Sequence, residues 1–151
     1  MPNGKHNMKL EVPIAKVWEF VRDMNNWAPL VPGYLEHQRI TERQSTWKFK
    51  GDIGIMQKTV ALRVDIKEWI EPTTVTFNLT GIYDNIVGKG SFVAKEITAN
   101  QTEIIGNLDI NAGGMKGPMV NTILKSLVPK TTEDLTEAVA NRIEKVEVIV
   151  K

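Results

Sequence analysis

The stretch Val17–Tyr34, VWEFVRDMNNWAPLVPGY, decides how this chain is built. It begins as an amphipathic helix. Pro13 suits a first helical position, where its missing N–H costs nothing. Ile14, Val17, Trp18 and Val21 then repeat at the i, i+3, i+4, i+7 spacing of one buried stripe. Asp23 is placed to cap a second, very short helical turn over Asn25–Leu30, which Pro32 stops. The segment gathers Trp27, Pro29, Leu30, Val31, Pro32 and Gly33, too apolar for a surface loop and too proline-rich for a long helix. Such a bent apolar element reads as a wedge that shuts one side of a hollow fold.

Outward from the wedge the period changes. Lys5–Val12 reads as a short first strand. From Tyr34 to Ala112 about six more strands follow, although Tyr34–Glu42 alternates on neither parity. Trp47, Phe49, Gly51 and Ile53 share one parity, against Thr46, Lys48 and Lys50 on the other. Val60, Leu62, Val64 and Ile66 interleave with Ala61, Arg63, Asp65 and Lys67. Val75, Phe77 and Leu79 alternate with threonines and Asn78; Ile104, Gly106, Leu108 and Ile110 alternate with Glu103, Asn107 and Asp109. One buried and one wet face is the signature of an antiparallel sheet. Glu71-Pro72-Thr73, Asp84-Asn85 and Asn100-Gln101 supply turns.

Gly113-Gly114 ends the sheet pattern, and a long helical segment closes the chain. Met119, Ile123 and Leu127 fall four apart, with Val120 and Leu124 beside them, and the stripe resumes at Leu135, Val139, Ile143 and Val146. Pro129 predicts a kink or short break, after which Thr131 or Thr132 restarts the helix with a cap.

Composition narrows the function classes. At 151 residues the chain is read as one domain, 1–151. Its 19 basic and 18 acidic residues are spread evenly to a net charge of +1, which gives no electrostatic footprint for nucleic acid. There is no cysteine, so disulfides, thiol nucleophiles and Cys-ligated metal sites are excluded. The N-terminus has no apolar core of signal-peptide length and no stretch approaches a membrane span, so a cytoplasmic protein is expected.

The elements sum to an α+β arrangement: a curved antiparallel sheet of six or seven strands around a long C-terminal helix, with two short helices after the first strand. The inward parity sets Trp47, Phe49, Leu62, Val64, Phe77, Leu79, Phe92 and Leu108 against Met119, Ile123 and Leu127 on the helix. Glycines 51, 81, 88, 90 and 106 lie on or near strands, where they permit bends and bulges.

The segment LEVPIAKVWEFVRDMNNWAPLVPG, with Val17-Trp18, Asp23 and Val31-Pro32-Gly33, resembles the opening of the START-like (SRPBCC, Bet v 1-type) superfamily. More narrowly it resembles the carbon monoxide dehydrogenase G branch of that superfamily. The glycine-rich entry to the last helix, Gly113-Gly114-Met115-Lys116-Gly117, and the order of elements agree over essentially the whole chain. The resemblance implies a helix-grip fold with a hydrophobic cavity for a lipid, quinone, polyketide-like or other apolar small molecule. It also implies transient contact with a membrane or a redox enzyme, since that branch is linked to recruiting one. This chain departs from it in ending on VEVIVK, with no separate apolar anchor.

Candidate ligand residues follow. Each inward residue is also what any sheet core requires, so the argument for a cavity is collective. Met115 and Met119 would give the helix side an adaptable surface. Trp18 reads as a core anchor, whereas Trp27 and Tyr34 pair an apolar body with a polar handle and suit a pocket rim. Tyr83, in IYDNIVGKG, would form a portal. Catalytic signals are poor. His6 and His37 are the only histidines and have no metal-ligand spacing, no serine sits in a nucleophile elbow, and neither glycine cluster fits a phosphate loop. Asp52, Asp65, Glu103 and Asp109 fall on the outward parity, and Glu68, on the inward one, lies near a strand end. A non-enzymatic carrier is the first expectation, with no cofactor and no metal. A polyketide cyclase or dehydratase and an assembly factor for a redox enzyme are the alternatives.

Overall fold

The computed structural model describes residues 2–53, 56–83 and 85–150, with side chains for all of these except 51–53, 56–58 and 146–150. Asp84, the side chains of Asp52, Ile53 and Val146, and the burial of Gly51, all used in the pattern above, lie outside what is described. Among the described residues the strands are β1 Asn3–Leu10, β2 Tyr34–Arg39, β3 Gln44–Ile53, β4 Met56–Ile70, β5 Thr74–Gly81, β6 Ile86–Thr98 and β7 Gln101–Ala112. The helices are α1 Ile14–Val21, α2 Met24–Trp27 and α3 Gly117–Val150, with a 3-10 turn at Ala28–Leu30.

All seven strands join one antiparallel sheet in the order β1-β7-β6-β5-β4-β3-β2. The first two strands in sequence are therefore its two edges, and the chain between them must cross from one edge to the other. That crossing is the wedge, and it explains the apolar residues in so short a segment. Pro13 stands one residue before α1 with its carbonyl accepting from Lys16 and Val17, so it is the cap rather than the first helical residue. Val17, Trp18 and Val21 face inward as the stripe predicts. Asp23 accepts from the Asn25 N–H at 2.9 Å and starts α2. Trp27 is buried, and its indole N–H donates to the Val21 carbonyl at 3.0 Å, folding the wedge back on itself.

The helix α3 lies over β1 and β7 rather than over the middle of the sheet. Two glycines let it come close. A Cβ on Gly4 would press into Thr132 Oγ1 and lie 2.7 Å from the Val128 carbonyl oxygen; one on Gly106 would press into Thr136 Oγ1. The helix runs unbroken past Pro129, and no cap forms there. Pro129 and Lys125, whose carbonyl it leaves without a helical partner, are both exposed, so the missing bond falls on the side open to solvent. Thr132, expected as a cap, instead donates from Oγ1 to the Val128 carbonyl at 2.7 Å.

The inward stripe of α3 also differs from the expected one. It runs through Leu124, Val128, Thr132, Thr136, Val139, Ala140 and Ile143, all buried. Met119 is 62% exposed, and Ile123 is only half-buried. Two polar threonines in the middle of the true stripe hide it from a hydrophobic count, and the neighbouring Met119–Ile123–Leu127 row looks better than it is. The glycines differ in role as well. The strand bulges fall at Leu35, Lys67 and Ile97, whereas Gly4, Gly90 and Gly106 provide room for neighbouring side chains.

Candidate functional site

The concave face of the sheet carries an aromatic column. The Trp27 and Trp47 rings meet edge to face with centroids 5.3 Å apart, and Trp27 and Phe77 lie 5.6 Å apart. Pairs of this kind contribute about 0.5–1.5 kcal/mol beyond their buried area. The polar atoms of the column are satisfied internally: Trp47 Nε1–H donates to Ser45 Oγ at 2.6 Å, and Ser45 Oγ–H in turn to Met24 Sδ at 3.5 Å.

Where this column meets α3, the structure leaves a partly open cavity of about 40 Å³. Phe77, Phe92 and Leu108 line it from the sheet, Val21 and Trp27 from the wedge, and Thr132, Leu135, Thr136 and Val139 from α3. Val75 and the strand segments around Ser91 and Gly106-Asn107 complete it. No titratable side chain is among the lining residues. The two threonine hydroxyls are already committed: Thr132 Oγ1 donates to Val128 O and Thr136 Oγ1 to Thr132 O, each at 2.7 Å. The surface that these walls offer to a guest is thus predominantly apolar.

The hollow is much smaller than a sheet curled around a helix leads one to expect. Ligand pockets commonly span roughly 300–1,000 Å³. The cause is local. Gly4 and Gly106 draw α3 down onto β1 and β7, and the Trp27, Phe77 and Phe92 rings fill the remaining width. A wider, open depression of about 230 Å³, bordered by Lys67, Thr76, Asn78, Lys89 and Asp109, shares Phe77, Ser91 and Asn107 with this cavity.

The predicted ligand residues are distributed unevenly around this cavity. Trp27, Phe77, Phe92 and Leu108 line it. Trp27 is an inner wall rather than a rim. Trp47, Leu62, Val64 and Leu79 are buried beside it in the same core without reaching it. Phe49, Tyr34 and Leu127 are half-buried and pack against that core. Tyr83 and Met115 are exposed, at 85% and 102%, at the end of the molecule where the β5–β6 and β7–α3 loops meet. There the Gly113 N–H donates to Asn85 O at 2.8 Å, and the Asn121 amide bridges both backbone groups of Ala112, at 2.8 and 3.0 Å. Ile82, Val87 and Met119 are likewise apolar and exposed.

Sequence reasoning missed Val21, Val75, Leu135, Val139, Thr132 and Thr136 as lining residues. The first four are visible in the helix and strand stripes but are indistinguishable there from core. The threonines carry no apolar signal. Glu68 is exposed and accepts from Thr76 Oγ1 at 3.2 Å, because the bulge at Lys67 changes the parity of its strand end. Among the described residues no cluster of His, Asp or Glu suits a metal, and no helix is long and apolar enough to cross a membrane.

A protein-family model matches residues 1–147, nearly the whole chain. Comparison with curated proteins returns no match. Among solved structures, a START superfamily protein from Mycobacterium smegmatis superposes with a TM-score of 0.74 at 16% identity, over 95% of this chain and 98% of that one. A conserved protein from Geobacillus kaustophilus gives 0.72 at 16% identity, with 95% of each chain covered. The Zhui aromatase/cyclase from a Streptomyces species gives 0.69 at 16% identity, over 95% and 93%. At these identities the likeness is one of fold.

Proposed function

This chain belongs to the START-like (SRPBCC) superfamily, and from that premise we propose that it binds a hydrophobic small molecule between its sheet and α3. The observation that carries the reading is the chemistry of the lining: mostly aliphatic and aromatic side chains, no titratable group, Ser91 and Asn107 as neutral polar neighbours, and threonine hydroxyls already bonded within the helix. Such a wall recognises a guest by shape and by removal of apolar surface from water, at roughly 25 cal/mol per Å². A lipid- or polyketide-sized guest exceeds the present cavity of about 40 Å³, so binding requires α3 or the wedge to move outward. The half-buried Phe49, Tyr34, Ile123 and Leu127 are the apolar surface that such a movement would turn to the guest.

Native mass spectrometry of the purified protein, followed by solvent extraction, tests this. An apolar molecule bound one-to-one and released by the solvent is expected. A bare mass that persists after incubation with long-chain and polycyclic probes contradicts the reading.

A second reading, an enzyme of the polyketide-cyclase kind, is supported by the likeness of fold to an aromatase/cyclase at 16% identity. It requires a proton-transferring group to reach the guest, and none of the lining residues supplies one. Carriage without chemistry therefore has the stronger support. Assembly or recruitment of a redox enzyme, which resemblance to the carbon monoxide dehydrogenase G branch implies, is a separate proposal that would act through the protein's surface rather than its cavity.

A further inference from the structure

The apolar side chains that the fold leaves outside are not spread evenly. In this antiparallel order the β3–β4, β5–β6 and β7–α3 connections gather at one end of the sheet, and the β2–β3, β4–β5 and β6–β7 turns at the other. At the second end Ile40, Ile70 and Ile97 stand one to each turn. At the first, Ile82, Tyr83, Val87, Met115 and Met119 crowd onto two connections and are 44% to 102% exposed. Ile123, half-buried one turn after Met119, continues the row along α3. Clustered exposure of this kind marks an interaction surface, whereas single exposed residues do not.

The two connections are held as one unit. Gly113 N–H donates to Asn85 O at 2.8 Å, and a Cβ on Gly113 or on Gly114 would lie 3.0 Å from the Asn85 side chain. Gly114 has φ +76°, so the turn that leads into Met115 takes a glycine. The Asn121 amide fastens the first turns of α3 to both backbone groups of Ala112. The backbone is thus pinned while its largest side chains stand in solvent.

Charge says what covers them. From Ile110 to Thr132 the chain holds Lys116, Lys125 and Lys130 and no acidic residue. Lys130 lies 3.2 Å from Asp134, whereas Lys116 and Lys125 are exposed without an acid on their own stretch. Asp84 is the one acid of the two connections. Tyr83 and Met115 protrude, so a rigid partner needs a pocket shaped to them and a soft surface needs none. Methionine is flexible enough to settle among lipid chains, and tyrosine pairs an apolar ring with a hydroxyl suited to the headgroup boundary.

We propose that this end of the molecule docks on a bilayer surface that carries acidic lipid. Tyr83, Met115 and Met119 enter the headgroup–acyl boundary, and Lys116 and Lys125 face the lipid phosphates. The docking is peripheral, because among the described residues no helix is long and apolar enough to cross. It does not depend on a guest in the cavity, and either reading can fail without the other.

Vesicle flotation tests the proposal, with phosphatidylcholine alone and with phosphatidylcholine and phosphatidylglycerol in equal parts. The native chain is expected to float with the mixed vesicles more than with the neutral ones, and less as salt is raised. Tyr83→Asp and Met115→Asp, both at exposed positions and so expected to keep the native melting temperature, weaken binding by about tenfold or more. Lys116→Gln weakens it by roughly fivefold on mixed vesicles only. Ile40→Asp, at the opposite end, binds as the native chain does. No binding by the native chain, equal binding to the two vesicle types, or binding indifferent to Tyr83→Asp and Met115→Asp overturns the proposal. Sedimentation velocity without vesicles is expected to show the same species for the native chain and Met115→Asp. A dimer that Met115→Asp dissociates assigns the surface to a second copy of the chain and overturns the bilayer.

Discussion

At the scale of single residues, the positions that matter most here are those with no side chain. Gly4 faces backbone atoms of α3, with the Val128 carbonyl oxygen and the Pro129 Cα at 2.7 and 2.8 Å from where a Cβ would sit. Backbone cannot swing aside as a flexible side chain can. Gly4→Ala is therefore expected to lift α3 and to cost about 1–3 kcal/mol, the range for overpacking a filled core, measured by urea denaturation. An unchanged midpoint would mean that α3 is not held closely there. Neither Gly4 nor Gly106 announces this role in the sequence, where a strand glycine signals bending as readily as close packing. Asp23 is the opposite case. A short acidic residue ahead of a four-residue turn has few other uses, and its cap is legible. The contact of Tyr34 Oη with His37 Nδ1, at 2.6 Å, is not, because residues three apart on a strand meet only when a bulge intervenes.

At the scale of elements, alternation exposes the strands because each has one buried and one wet face, and it fails where bulges reset the parity, as at Lys67. The true stripe of α3 escapes a hydrophobic reading because Thr132 and Thr136 occupy inward positions and satisfy their hydroxyls on the preceding turn. Pro129 reads as a break in the sequence, yet the helix continues through it, since the lost bond lies on the exposed side. That continuity carries an expectation. Pro129→Ala restores an N–H able to reach the Lys125 carbonyl and should stabilise the protein by about 1–3 kcal/mol, on the scale that separates proline from alanine inside helices. Thermal and chemical denaturation measure it. A destabilised variant would show instead that α3 needs its proline to sit against Gly4.

At the scale of the whole molecule, β1 and β2 are the two edges of the sheet, and the wedge joins them over the concave face while α3 covers the β1–β7 side. The order of elements makes this architecture readable, but not the size of the interior space. Volume depends on how closely α3 approaches and on how the Trp27, Phe77 and Phe92 rings turn, and neither is written in a pattern of apolar positions. If the apolar space receives a guest, Leu108 is where added bulk should exclude it. Leu108 lines that space beside Gly90, whose missing side chain leaves room for Phe77 and for Leu108 itself. Fluorescence titration of N-phenyl-1-naphthylamine into the native chain and into Leu108→Phe and Leu108→Trp, each verified as folded by circular dichroism, measures this. Saturable one-to-one binding by the native chain should weaken progressively with the bulk placed at 108. For tryptophan the loss should be about tenfold or more, as expected when a guest gives up most of its buried contact area. Equal binding by all three proteins, or none by the native chain, would contradict a guest site between the sheet and α3.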